Sequence, residues 1–267
     1  MHVIQYSGGI GSWATAQRVI ERYGRHDVVL LFSDTLIEEP SLYRFLHTSA
    51  QQMGVPLVRV ADGRTPFDVY WDSHFLGNSR IAPCSKLLKQ KPARQWLTEH
   101  AAPDIATLYV GIDATEARRV PAIRSGWHPW RVEFPLMSES KLTKAAMLDE
   151  ARVLGLTPPE AYAEGFSHAN CSGWCVRGGH GHWLRLLMIH PDRYHDYEQR
   201  EQEFRAKHGD VAILKEQRGG VVRPLPLAEL RRRHEQHHRT NEQTPSRRTS
   251  TRPTTAPPPV QPSSSTA

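Results

Sequence analysis

The first residues able to do chemistry are Ser7-Gly8-Gly9-Ile10-Gly11-Ser12. Three glycines within six residues permit positive φ and let backbone N–H groups approach an oxyanion closely. Ser7 and Ser12 add hydroxyl donors, and a helix starting directly after the glycines would point its positive end at the same anion. That combination is a phosphate cradle. It has neither the Gly-Lys-Ser/Thr ending of a Walker loop nor the spacing of a dinucleotide fingerprint. Its bland alternative is an ordinary strand–helix turn. Farther along, Asp34 is placed to meet a ribose hydroxyl or a metal, or else to cap the next turn. Arg118 and Arg119 are candidates for clamping phosphate or sulfate, with plain surface arginines as the alternative. At least one of Lys86, Lys89 and Lys91 is expected to face the same anion.

Cys84, Cys171 and Cys175 form the second constellation. Cys171 and Cys175 flank Ser-Gly-Trp in a Gly- and His-rich stretch from His168 to His182. Three thiolates are able to hold a [4Fe–4S] cluster with one open iron. Zinc held by Cys171, Cys175 and one or two of His168, His180 and His182 is the competing metal site. Unligated thiols are the third alternative. His182, Trp183, Leu186, Leu187, Tyr194 and Tyr197 are further cofactor candidates, but their helical spacing favours core over cofactor contact.

The elements that would position these groups alternate between strand and helix over the first 115 residues. Strands are expected at His2–Tyr6, Val28–Phe32, Val55–Val60 and Ile105–Ile112. Helices are expected after the glycine loop to about Tyr23, from Pro40 to about Met53, and over Lys86–His100. This order predicts an α/β fold with a doubly wound parallel sheet, binding ligands at the C-terminal strand ends. Residues 1–120 are the expected nucleotide-binding domain and 121–235 a helical extension, with helices over Leu142–Leu154, His182–Ile189 and Asp192–Lys207. Residues 236–267 hold six of the chain's twenty prolines and no aromatic residue, the composition of a disordered tail.

Taken in order, these motifs resemble the PP-loop of the adenine nucleotide alpha-hydrolase superfamily, which includes ATP pyrophosphatases, tRNA thiolases and phosphoadenylyl-sulfate (PAPS) reductases. The nearer resemblance is to PAPS-reductase-like proteins of phages and mobile elements. It rests on the Ser-Gly-Gly-x-x-Ser loop, Phe32-Ser33-Asp34-Thr35 followed by acidic residues and Pro40, Cys84-Ser85-Lys86-Leu87-Leu88-Lys89, and Gly111-Ile112 to Glu116 and Arg119. The resemblance implies an enzyme that binds ATP or a PAPS-type nucleotide, with magnesium, and acts at the α-phosphate or on an adenylyl sulfate. Ser7, Gly8, Gly9, Gly11, Ser12 and Asp34 would hold the nucleotide, and Ser12, Arg119 and Cys84 would be catalytic. Sulfur carried on a cluster held by Cys84, Cys171 and Cys175 is a further implication. Gly11 stands where many ATP-cleaving members have Asp, and the C-terminal region lacks the redox cysteine of authentic PAPS reductases. A nucleotide-binding or nucleic-acid-associated accessory protein without turnover is therefore the second reading.

Composition limits the remaining possibilities. In 267 residues, 39% are hydrophobic and 23% charged, enough for a real core without disulfide staples. No segment approaches the roughly 18 apolar residues of a membrane span, and His2–Gly9 has no secretory-signal pattern, so a cytoplasmic protein is expected. The net charge is +6, half of it in the expected tail. That balance suits an anionic nucleotide at least as well as a nucleic-acid acceptor.

Overall fold

The computed structural model describes residues 1–139 and 142–243, with side chains to residue 239. The first half is β1 (His2–Gln5), α1 (Ile10–Tyr23), β2 (Val28–Asp34), α2 (Pro40–Met53), β3 (Leu57–Ala61) and α3 (Pro66–Asp72), then a π-helical turn over Ser85–Gln90 that runs directly into α4 (Lys91–His100). Next come β4 (Thr107–Tyr109), a 3-10 turn over Ala114–Arg119, α5 (Val120–Trp127) and β5 (Arg131–Glu133). The second half is α6 (Lys144–Val153), α7 (Glu160–Ala163), α8 (His180–Ile189), α9 (Pro191–His208), β6 (Leu214–Arg218), β7 (Val221–Leu225) and α10 (Leu227–Gln243).

Five strands form one sheet in the order β3-β2-β1-β4-β5, every pair parallel. This is the expected doubly wound α/β fold. β2, Val-Val-Leu-Leu-Phe-Ser-Asp, is buried on both faces, as a continuous apolar run between two helical layers must be. Pro40 at the start of α2 and left-handed Gly54 at its end fix that helix where local chemistry places it.

Two clusters cover the sheet's faces. One packs α1 and α2 against Ile4, Leu30 and Phe32 and continues into Met147, Ala151 and Leu156. The other packs Val3, Leu31 and Leu108 against α4, Trp127 and Trp130. A third core, around Trp183, Tyr194 and Tyr197, joins α8, α9 and α10 to Phe67 and Tyr70 of α3. Of the residues suspected of cofactor contact there, Trp183, Leu186, Tyr194 and Tyr197 are buried core with Leu187 packed against them, whereas His182 lines the cavity described below.

Three expectations are corrected. β5, hidden in a Trp- and Pro-rich stretch, extends the sheet beyond residue 120. The helical extension also contains an antiparallel hairpin, β6–β7, turned by Gly219-Gly220, both at positive φ. The expected tail begins inside α10, which continues to Gln243; residues 244–267 lie outside the described residues. Among the described residues no helix is long and apolar enough to cross a membrane.

Candidate functional site

Strand order reverses between β1 and β4. The loops leaving their C-terminal ends therefore diverge to opposite faces and open a crevice. One wall is the Ser7–Ser12 loop, with α1 beginning at Ile10. The other is Val110–Asp113. The two walls meet at glycines: a Cβ on Gly111 would lie 2.6 Å from the carbonyl oxygen of Gly11, and one on Gly11 would lie 3.2 Å from that of Gly111. Gly8 has a different task. It turns the chain at φ +75°, and a Cβ there would stand 2.8 Å from Leu42.

The crevice is a cavity of about 850 Å³, lined by Ser7, Gly9, Gly11 and Ser12 and by Cys84, Cys171 and Cys175. Cations on its wall are Lys89, Arg119, Lys144 and Arg177; the carboxylates are Asp113 and Glu116. Gln5, at the end of β1, also lines it and has a buried Nε2 without a hydrogen-bond partner. The Ser12 hydroxyl braces the loop, donating to the Gly9 carbonyl at 2.8 Å and accepting the Ser7 N–H at 3.2 Å.

The second half of the chain completes this site. Tyr162 Oη accepts the Ile10 N–H at 2.9 Å, taking the first amide of α1, and Asn170 Nδ2 donates to the Ser7 carbonyl at 3.0 Å. Arg18 on α1 reaches Glu139 at 3.0 Å and Glu150 at 2.5 Å. Sequence reasoning missed Tyr162, Lys144 and Gln5, which carry no motif. Asn170 sat in a stretch already singled out for its cysteines.

Of the three candidate lysines, Lys89 is the one on the cavity wall. It lies on the π-helical turn that begins one residue after Cys84; single π-turns inside helices often mark functional sites. Its Nζ is 3.8 Å from Glu38 Oε1. Burial works against its charge, but Cys171, Glu38, Cys175 and Cys84 more than offset that and hold its pKa above the ordinary lysine value. Glu38, wholly buried, also accepts from Thr35 Oγ1 at 3.0 Å and from the Cys171 N–H at 2.5 Å. The neighbouring Cys171 thiol lowers the Cys175 pKa, assisted by His168, while Cys175 and burial raise that of Cys171.

Asp34 is placed elsewhere. It does not line the cavity, and its carboxylate is sealed by the Leu36 N–H at 2.8 Å, Tyr43 Oη at 2.7 Å and Arg59 at 2.6 and 2.7 Å. The carboxylate expected at a ribose or a metal instead anchors the end of β2. Arg119 lines the cavity, paired with Glu116; Arg118 does not.

Among the described residues no three His, Cys, Asp or Glu side chains converge as a metal site. Cys84, Cys171 and Cys175 share the cavity, and Cys84 Sγ accepts from Tyr70 Oη at 3.4 Å. Of the histidines suggested for zinc, His182 Nε2 contacts the Gly173 carbonyl at 2.7 Å and His180 Nε2 the Lys215 carbonyl at 3.0 Å, whereas the buried Nδ1 of His168, on the same cavity wall as Cys171 and Cys175, has no hydrogen-bond partner among the described residues. Neither a cluster nor a zinc ligand set is assembled.

No family model matches the chain, and no curated protein matches it. Among solved structures it is similar to phosphoadenylyl-sulfate (PAPS) reductase from Candida auris in a phosphate complex, with 16% sequence identity and a TM-score of 0.42, covering 62% of this chain and 78% of that one.

Proposed function

We propose that this chain is a PP-loop-type enzyme that binds an adenine nucleotide in the switch-point cavity and acts at the α-phosphate of ATP or on an adenylyl sulfate. One observation carries the reading: the Ser7–Ser12 loop and the three thiols open onto the same cavity, on walls where four Lys and Arg side chains outnumber two carboxylates. An anion held by the Gly9 and Gly11 amides and the start of α1 would have Lys89 and Arg119 within the same enclosure. Ser7 and Ser12 keep the loop in shape, and Gly11 and Gly111 let it approach the end of β4. Arg119 is the group to neutralise charge developing on the phosphates. Asp113 and Glu116 are the carboxylates available to a magnesium ion bound with them. Cys84, on the cavity wall, is the candidate nucleophile.

Thermal unfolding of the full chain with ATP, and separately with a PAPS-type nucleotide, tests the reading with and without magnesium. Nucleotide at about a hundred times its Kd stabilises by about 2.7 kcal/mol; no shift at millimolar nucleotide would reject it. Product analysis separates catalysis from mere binding. AMP and pyrophosphate, or sulfite with a thiol reductant, indicate an enzyme. Intact bound nucleotide indicates the binding module that Gly11 favours, because an aspartate Cβ there would press on the Gly111 carbonyl.

A further inference from the structure

The segment joining Cys171 to Cys175 is folded in an unusual way. Cys171, Ser172 and Gly173 have φ of +61°, +48° and +82°, three successive left-handed residues, of which only glycine adopts that region freely. Two strained residues persist only where their surroundings over-determine them. Here Glu38 takes the Cys171 N–H, Ser172 Oγ donates to the Ile37 carbonyl at 2.7 Å, and the Trp174 N–H returns to the Cys171 carbonyl at 2.7 Å. Trp174 Nε1 donates to the Arg193 carbonyl at 2.9 Å, fixing the far side. The consequence is that two thiols four residues apart sit on one tight turn, and both line the same cavity. An extended chain would hold their Cα atoms about 13 Å apart, against the 4.4–6.8 Å that a disulfide spans.

We propose that Cys171 and Cys175 are a redox-active dithiol that closes to an intramolecular disulfide on the cavity wall, with a disulfide compound as its co-reactant. Cys175, the more exposed of the two, attacks one sulfur of R–S–S–R; that S–S bond breaks and RS⁻ leaves, taking up a proton. Buried Cys171 then gives up its proton and attacks the Cys175 sulfur, breaking the mixed disulfide and expelling the second RS⁻. The two cysteines lose two electrons, and R–S–S–R becomes two RSH. Cys84 takes no part, its sulfur being engaged by Tyr70. The device rests on the turn's geometry and holds whether or not a nucleotide fills the cavity.

The test equilibrates the reduced full chain with glutathione buffers of rising oxidised fraction, quenches in acid, alkylates free thiols and maps the peptides by mass. The expected product has lost two hydrogens, joins Cys171 to Cys175 and leaves Cys84 alkylated, and Cys84→Ser gives the same disulfide. Cys171→Ser should stop at glutathione on Cys175, while Cys175→Ser should form no mixed disulfide at Cys171. Three alkylated cysteines in excess oxidised glutathione, a disulfide including Cys84, or stoichiometric metal on the purified chain protecting Cys171 and Cys175 would each overturn the proposal. The wild-type mapping decides even if a variant does not fold, and nucleotide binding, measured separately, is independent of the result.

Discussion

Gly111 stands against Gly11 so closely that the two loops at the switch point touch backbone to backbone, with 2.6 Å from the site of a Gly111 Cβ to the Gly11 oxygen. No flexible side chain is there to yield. Gly111→Ala should therefore displace the Ser7–Ser12 loop, costing about 1–3 kcal/mol in urea unfolding and most of any nucleotide-induced stabilisation. Gly126→Ala is the control, since a Cβ there meets nothing within 4 Å; it should be neutral or stabilising by up to about 1 kcal/mol.

Tyr162 occupies the Ile10 amide that a phosphate would also want. Tyr162→Phe leaves that N–H without its acceptor and should cost about 1–3 kcal/mol in the free protein. A bound nucleotide restores an acceptor, so the thermal shift with ligand should be larger in the variant than in the wild type. An equal or smaller shift would mean that the hydroxyl and the phosphate do not compete.

Asp34→Asn separates anchoring from ligand binding. The buried carboxylate loses its charge opposite Arg59, whose head is largely exposed, so the expected cost is about 1–3 kcal/mol, below that of a fully buried pair. Nucleotide affinity of the folded variant should stay within about threefold of wild type. A large loss of affinity at unchanged stability would return Asp34 to the ligand.

Lys89→Met should weaken nucleotide binding about tenfold or more, in line with loss of a charge-assisted contact of about 1.5–3 kcal/mol. Lys86→Met and Lys91→Met, whose side chains are off the cavity wall, should leave it unchanged. Calorimetric titration of the three variants distinguishes them.

Cys171 and Cys175 should differ in reactivity toward iodoacetamide. Cys175, with its pKa lowered by Cys171 and His168, remains a thiolate as pH falls, whereas an ordinary thiol near 8.5 is well under 1% ionised at about pH 6. Alkylation of Cys175 should persist from pH 8 to pH 6. Alkylation of Cys171, pushed the other way, should be slower at both. Equal rates, or a Cys175 rate falling tenfold per pH unit, would reject the asymmetry.

Local signals sufficed for much of the architecture. Pro40 and Gly54 bound α2 at its two ends because φ preferences act within one residue. The apolar run of β2 declared a doubly buried strand, and the glycines before α1 declared a loop that must approach something closely. Gly219-Gly220 was an equally local hairpin signal, overlooked between helices. β5 was illegible because three residues carry too little pattern; pairing with β4 makes it a strand.

Sequence alone also named both halves of the site, the Ser7–Ser12 loop and the three cysteines. Only the tertiary structure decided their relation. It brought residues 84, 171 and 175 onto the wall of the loop's cavity, and it chose Lys89 over its neighbours through the phase of a π-turn. It also spent Asp34 on Arg59 and Tyr43, and filled the first amide of α1 with a tyrosine 152 residues away. Propensity and spacing act over a few residues, whereas hydrogen-bond partners and ligand sets are fixed by which distant groups the packed core brings within about 3 Å.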